Sequence, residues 1–122
     1  MLLSHKVLTL ATSLVLLMLT ISDGNPIVVG GQKTWCIAKP SSDEATLQGN
    51  IDYSCAQVNV DCGKIKNGGP CYEPNSRMNH AAVAMNLYYQ SVGGNQTAGD
   101  CDFKGSGLVV VTNPSYGSCI YA

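Results

Sequence analysis

The sequence predicts a small disulfide-rich α+β domain: two packed helices, a small antiparallel sheet and long coil, held by three disulfides. Three observations carry this. All six cysteines (Cys36, Cys55, Cys62, Cys71, Cys101 and Cys119) follow an apolar N-terminal stretch, in a chain with one Trp and one Phe. So few large apolar side chains make a small core, and small exported domains commonly need covalent cross-links. Two segments repeat apolar residues at helical spacing, and one late segment, Leu108–Thr112, is a β-branched run of strand length.

Residues 1–24 read as a secretory signal peptide. His5 and Lys6 give a weakly positive start, Val7 to Ile21 is a run of mostly Leu, Val, Ala and Thr, and small residues at Ser22 and Gly24 each suit a cleavage site. A membrane span competes, but the run is shorter than the ~20 apolar residues a span prefers. Roughly 98 residues remain, a size for one domain. An even cysteine count in an exported chain reads as three disulfides, with 15 connectivities open. There is no Cys-x-x-Cys pair, and His80 is the one histidine beyond the leader, so neither metal nor cofactor is expected.

Residues 25–34 are expected to be a flexible lead, with the domain proper running from 35 to 122. Trp35–Ala38 is extended and apolar, and Lys39-Pro40 ends it. Ser41 with Glu44 makes a capping box, opening a helix over Ser42–Gln57 whose stripe is Leu47, Ile51, Cys55 and Val58. Gly49 costs that helix about 1 kcal/mol relative to Ala, and Asp52 and Tyr53 point elsewhere on its surface. Cys55 and Cys62 are close enough in sequence to clip the following turn, and Ile65 is a buried plug. Asn67–Asn75, with two glycines and two prolines around Cys71, is a rigid loop displaying Tyr72 and Glu73. Asn75 or Ser76 caps the second helix. Its stripe is Met78, Ala81, Ala82, Met85, Tyr88 or Tyr89, and Val92; Gly93-Gly94 stops it. Asn95-Gln96-Thr97 is a glycosylation sequon, expected to be exposed and modified at Asn95. Leu108–Thr112, the turn Asn113–Gly117 and Ser118–Tyr121 then read as a hairpin. With no Ser-rich linker or hydrophobic tail behind it, a glycolipid anchor signal is not expected.

The net charge of −1 offers no basic stripe for nucleic acid or anionic lipid; a neutral ligand fits better. Glycoside cleavage needs two carboxyl groups ~5–9.5 Å apart across a cleft. Asp43 and Glu44 belong to the helix start, and Asp61, Asp100 and Asp102 lie beside cysteines. That leaves Asp52 and Glu73, with nothing to bring them together. His80 has no catalytic motif around it and reads as a structural hydrogen-bonder. No enzyme is expected. Six of the eight aromatic residues outside the leader are Tyr. A sugar ring has an apolar C–H face that stacks on aromatic rings and a rim of hydroxyls that bond to polar side chains. Tyr72 and Tyr116, in Pro/Gly loops, are the best exposed candidates, while Trp35 and Phe103 read as core.

These residues also carry a resemblance. The matching runs are Trp35-Cys36-x-Ala38-Lys39-Pro40, Leu47-Gln48-x-x-Ile51-Asp52-Tyr53-x-Cys55, Asp61-Cys62 and Gly68-Gly69-Pro70-Cys71-Tyr72-Glu73-Pro74-Asn75. His80-Ala81, Asn86-x-Tyr88-Tyr89-Gln90, Cys101-Asp102-Phe103-x-Gly105 and Pro114-Ser115-Tyr116-Gly117-x-Cys119 continue them. Together they resemble the X8 domain, the plant carbohydrate-binding module of family 43, over Trp35 to Tyr121. The resemblance implies binding of β-1,3-glucans such as callose and laminarin. It also implies the pairing Cys36–Cys101, Cys55–Cys62 and Cys71–Cys119. Members occur at the end of plant endo-β-1,3-glucanases, in glycolipid-anchored plasmodesmal callose-binding proteins, and as short secreted proteins related to an olive pollen allergen; this chain resembles the last group.

The expectation is therefore a secreted, monomeric, non-catalytic cell-wall glycoprotein. Tyr72, Tyr88 or Tyr89, and Tyr116 would supply ring faces to the glucan, and Glu73, Asn75, Asn86 and Gln90 would bond its hydroxyls. The alternative is a secreted protein–protein partner on the same scaffold.

Overall fold

The structure is a computed structural model that describes residues 32–93 and 98–122. The expected leader, most of the lead and the sequon at Asn95 lie outside the described residues.

Lys33–Ala122 forms one compact unit. Its elements are β1 (Trp35–Ala38), α1 (Glu44–Cys55), α2 (Arg77–Ser91) and β2 (Gly107–Val110), with 3-10 turns at Gly63–Ile65, Ala98–Cys101 and Phe103–Gly105. The strands pair antiparallel, with Trp35 opposite Val110 and Ala38 opposite Gly107.

This pairing corrects the expected hairpin. The run at 108–112 finds its partner in β1, and the returning segment contributes only one bridge, Tyr116 to Cys119. The turn chemistry explains the difference. Asn113 Oδ1 accepts from the Ser115 N–H, and Ser115 Oγ takes the Tyr121 N–H that a ladder would have used. Cys119 is meanwhile tied to Cys71, far from β2 in sequence.

α1 is shorter than the spacing implied. Asp43, rather than Ser41, is its cap: Oδ1 accepts from the Thr46 N–H at 2.7 Å. A carboxylate is the stronger acceptor at a helix start. That bond also holds the Asp43 carboxyl below its ordinary pKa. Val58 lies beyond the helix and is fully exposed, so the buried face is Leu47, Asn50 and Ser54, with Ile51 beside it. α2 starts as expected, with Ser76 Oγ accepting from the Asn79 N–H at 3.1 Å.

α2 is the central element. Ala81 through Asn86 are all buried, so this stretch is covered on every side. One cluster gathers Ala82, Val83 and Ala84 with Trp35, Ile65, Tyr121 and the Cys71–Cys119 bridge. The other gathers Ala81, Met85 and Tyr89 with Ala38, Leu47 and the Cys36–Cys101 bridge. Ile65 is the plug that was expected. The third bridge, Cys55–Cys62, closes the turn after α1. These are the pairings the resemblance implied. Burial pushes the Tyr121 phenol up to about 12, with Tyr116 adding to the shift.

Candidate functional site

A groove of about 540 Å³ runs along α1, lined by Thr46, Gly49, Asn50, Tyr53, Tyr88, Asp100, Phe103 and Lys104. Three rings from three elements wall it. Tyr53 of α1 meets Tyr88 of α2 edge-to-face, with centroids 5.4 Å apart and planes at 74°. Phe103, on the loop before β2, stands 6.3 Å from Tyr53 and 5.9 Å from Tyr88, again nearly perpendicular. Edge-to-face pairs contribute ~0.5–1.5 kcal/mol each beyond burial, and their perpendicular faces make a trough rather than a flat platform.

Each ring is placed by its backbone. Thr46, Gly49, Asn50 and Tyr53 recur at helical spacing and share one stripe of α1. Gly49 makes the floor: a Cβ there would meet nothing within 4 Å, so the missing side chain is open space. Phe103 and Lys104 both adopt left-handed backbone, φ 46° and 53°, a conformation that costs a non-glycine residue ~1–3 kcal/mol. Cys101, disulfide-bonded to Cys36, anchors this loop on one side. On the other, a Cβ on Gly107 would overlap the Cys101 carbonyl, so only glycine lets β2 begin there. Tyr53 raises the Tyr88 phenol above its ordinary pKa, first by hydrogen bonding; desolvation and the charges of Tyr53 and Asp100 add to this. The Tyr88 phenol is therefore neutral at ordinary pH.

Of the residues expected to contact ligand, Tyr88 alone lines the groove. Tyr72, Glu73, Asn75 and Tyr116 lie together elsewhere, bonded to one another. Asn75 Nδ2 donates to the Tyr72 hydroxyl at 2.9 Å, and Glu73 Oε2 accepts from the Asn75 N–H at 3.2 Å. The Tyr116 hydroxyl lies 2.7 Å from the Glu73 carbonyl oxygen and 3.0 Å from Asn79 Oδ1. The Tyr72 ring leans on His80, whose Nε2 donates to the Tyr72 carbonyl at 2.7 Å, the structural role anticipated for that histidine. Beside this patch is a polar cleft of about 460 Å³, bordered by the exposed Arg77–Glu44 ion pair.

Asn86 and Tyr89 require correction. Both are about 1% exposed and face the interior, not a ligand. Asn86 Oδ1 accepts the Cys36 N–H at 3.0 Å and its Nδ2 donates to the Ala122 carbonyl at 3.1 Å, so its amide closes the edge of β1 that β2 leaves open. The Tyr89 hydroxyl pairs with Thr34 at 2.7 Å. Gln90 continues this seam, donating from Nε2 to the Thr34 carbonyl and to Asn86 Oδ1. Phe103, read as core, is half-buried and serves the groove wall, as does Tyr53, which points away from the core stripe of α1 as expected. The available signal was Gly49, a glycine at mid-helix among residues spaced like Thr46 and Tyr53.

A cross-linked α+β scaffold with a ring-walled trough on its surface belongs to the class of small disulfide-rich binding modules. The chain is a member of the X8 domain family, whose family model matches residues 34–108. It is 47% identical over 91 residues to the major pollen allergen Ole e 10 of Olea europaea, covering 75% of this chain and 72% of the relative. A glucan endo-1,3-beta-D-glucosidase of Olea europaea is 50% identical over 86 residues, and a glucan endo-1,3-beta-glucosidase of Triticum aestivum 49% over 92. The matches span 70% and 75% of this chain but only 18% and 19% of those two relatives.

Proposed function

We propose that this protein is a secreted, non-catalytic carbohydrate-binding module that holds a β-1,3-glucan of the callose or laminarin type in the plant cell wall. The observation that carries the reading is the groove walled by Tyr53, Tyr88 and Phe103. Three rings offer apolar faces to sugar C–H groups, while Thr46, Asn50, Asp100 and Lys104 offer polar atoms to hydroxyls. A concave trough suits a curled β-1,3 chain better than a flat β-1,4 ribbon, which would favour a coplanar strip of rings. Relatives named as acting on 1,3-glucan support the same choice of ligand. Among the described residues the groove lining holds one carboxylate, Asp100, where cleavage of a glycosidic bond calls on two.

In this reading residues 1–24 are the export signal, 25–34 the lead and 35–122 the binding domain, with glycan on Asn95. One chain supplies the whole groove, so a monomer suffices. Ring contacts of ~0.5–1.5 kcal/mol each, with small net gains from hydroxyl hydrogen bonds, give micromolar to millimolar affinity.

Calorimetry with laminarihexaose and cellohexaose tests the ligand. Equal affinity for the two would remove the β-1,3 assignment. Tyr88→Ala tests the place: it should weaken laminarihexaose binding about tenfold. Unchanged binding in that variant would favour the alternative, an aromatic surface for a protein partner.

A further inference from the structure

We infer that the groove floor is built to accept a hydrogen bond from a sugar hydroxyl, through Asn50 Oδ1 held in a fixed orientation by Ser106. This rests on the groove being the glucan site.

An asparagine amide can turn over, exchanging donor for acceptor, and its direction must be argued from its partners. Here the partners fix it. Ser106 Oγ lies 2.6 Å from the Phe103 carbonyl oxygen, which can only accept, so the one hydroxyl proton of Ser106 is committed there. The same Oγ lies 2.8 Å from the Asn50 side chain. With its proton spent, Ser106 Oγ can only accept from Asn50, and the atom facing it must be the NH2 group. The second proton of that NH2 points to Met85 Sδ, 3.6 Å away. Both donors are thus turned inward, and both Asn50 and Ser106 are buried.

Oδ1 is left facing the other way. Among the described residues no protein group donates to it, and Asn50 lines the groove. The trough therefore has an acceptor in the same lining as the three rings. It complements an O–H donor and opposes a ligand that offers only acceptors there, such as an etherified or acylated sugar. Ser106 is a positioning residue: it does not line the groove, yet it decides which face of the Asn50 amide the ligand meets. The same hydroxyl is bonded to the carbonyl of Phe103, so acceptor and ring wall are held by one side chain.

The experiment is laminarihexaose calorimetry on Asn50→Leu, Asn50→Asp, Ser106→Ala and Ser106→Thr, with melting temperatures and the Asn50 side-chain amide signals in NMR. Asn50→Leu removes the acceptor at similar volume and should weaken binding about fivefold to tenfold, the worth of one hydrogen bond. Asn50→Asp keeps an acceptor and should bind within about threefold of wild type; a donor role for Asn50 would make it as weak as the Leu variant. Ser106→Ala should weaken binding and move the Asn50 NH2 signals, and Ser106→Thr should restore both. If Tyr88→Ala abolishes binding while Asn50→Leu and Ser106→Ala stay within about twofold of wild type, the groove stands and the acceptor is refuted. If Tyr88→Ala also binds normally, the groove itself falls and the acceptor with it.

Discussion

Gly49 separates what stability wants from what the groove needs. It sits inside α1 at an exposed position, where glycine costs the helix ~0.8–1.0 kcal/mol relative to alanine. A Cβ built there touches nothing within 4 Å, so Gly49→Ala introduces no clash and should recover that cost. For a domain of this size, 1 kcal/mol raises the melting temperature by about 4–8 °C. The methyl barely enters a groove of about 540 Å³, so laminarihexaose binding should survive. Gly49→Trp keeps the helix gain in part but projects an indole, with about 150–250 Å² of surface, into the space between Tyr53 and Phe103. It should melt at or above the wild-type temperature and lose most of its glucan affinity. The assay is calorimetric melting with disulfides intact, paired with titration of laminarihexaose. A lower melting temperature for Gly49→Ala would show that the position is not open. A Trp variant with wild-type affinity would show that sugar does not use the groove.

Asn86→Ala removes the acceptor of the buried Cys36 N–H and should destabilise the domain by about 1–3 kcal/mol in chemical denaturation, while the folded variant binds glucan normally. Gly107→Ala should fail to give a folded, fully oxidised product on expression, because its methyl and the Cys101 carbonyl would share one space. Tyr121 sets an alkaline limit. Its folded-state pKa, about 12, is above the unfolded value near 10, so the native state holds its proton more tightly. Its contribution is complete below about pH 10 and is lost as pH rises through 12. Denaturation midpoints should fall over that window, and Tyr121→Phe should flatten the fall.

The frame was legible in the sequence because its signals are local or covalent. Ser76 caps α2 where a serine preceding an apolar stripe should, and Ile65 is buried where an isolated apolar residue in a polar loop should be. The cysteine pairing followed from resemblance; spacing alone left it open. The strand partner of β2 was not legible, because the competing hairpin had a suitable turn and the decision against it rests on the Ser115 and Asn113 side-chain bonds and the Cys71–Cys119 bridge. The groove was missed for a related reason. Tyr72 and Tyr116 sit in loops, and Tyr116 is exposed as expected, but their hydroxyls are engaged within a patch apart from the groove. Tyr53 and Phe103 come together only through the crossing of α1 past α2 and a left-handed backbone at Phe103, which no residue type announces. Asn86 looks like a sugar-binding amide in isolation; burial makes it part of the frame.

Phe103 stands two residues from Cys101, and Cys101 is bonded to Cys36 in β1, whose backbone is held by α2. In the proposed role, a glucan drawn along the trough would push on that ring. The load reaches the middle of the domain through a sulfur–sulfur link instead of through contacts that can slide. A surface wired this way yields at its ligand contacts before it yields in its own shape, which would make the proposed glucan grip reusable.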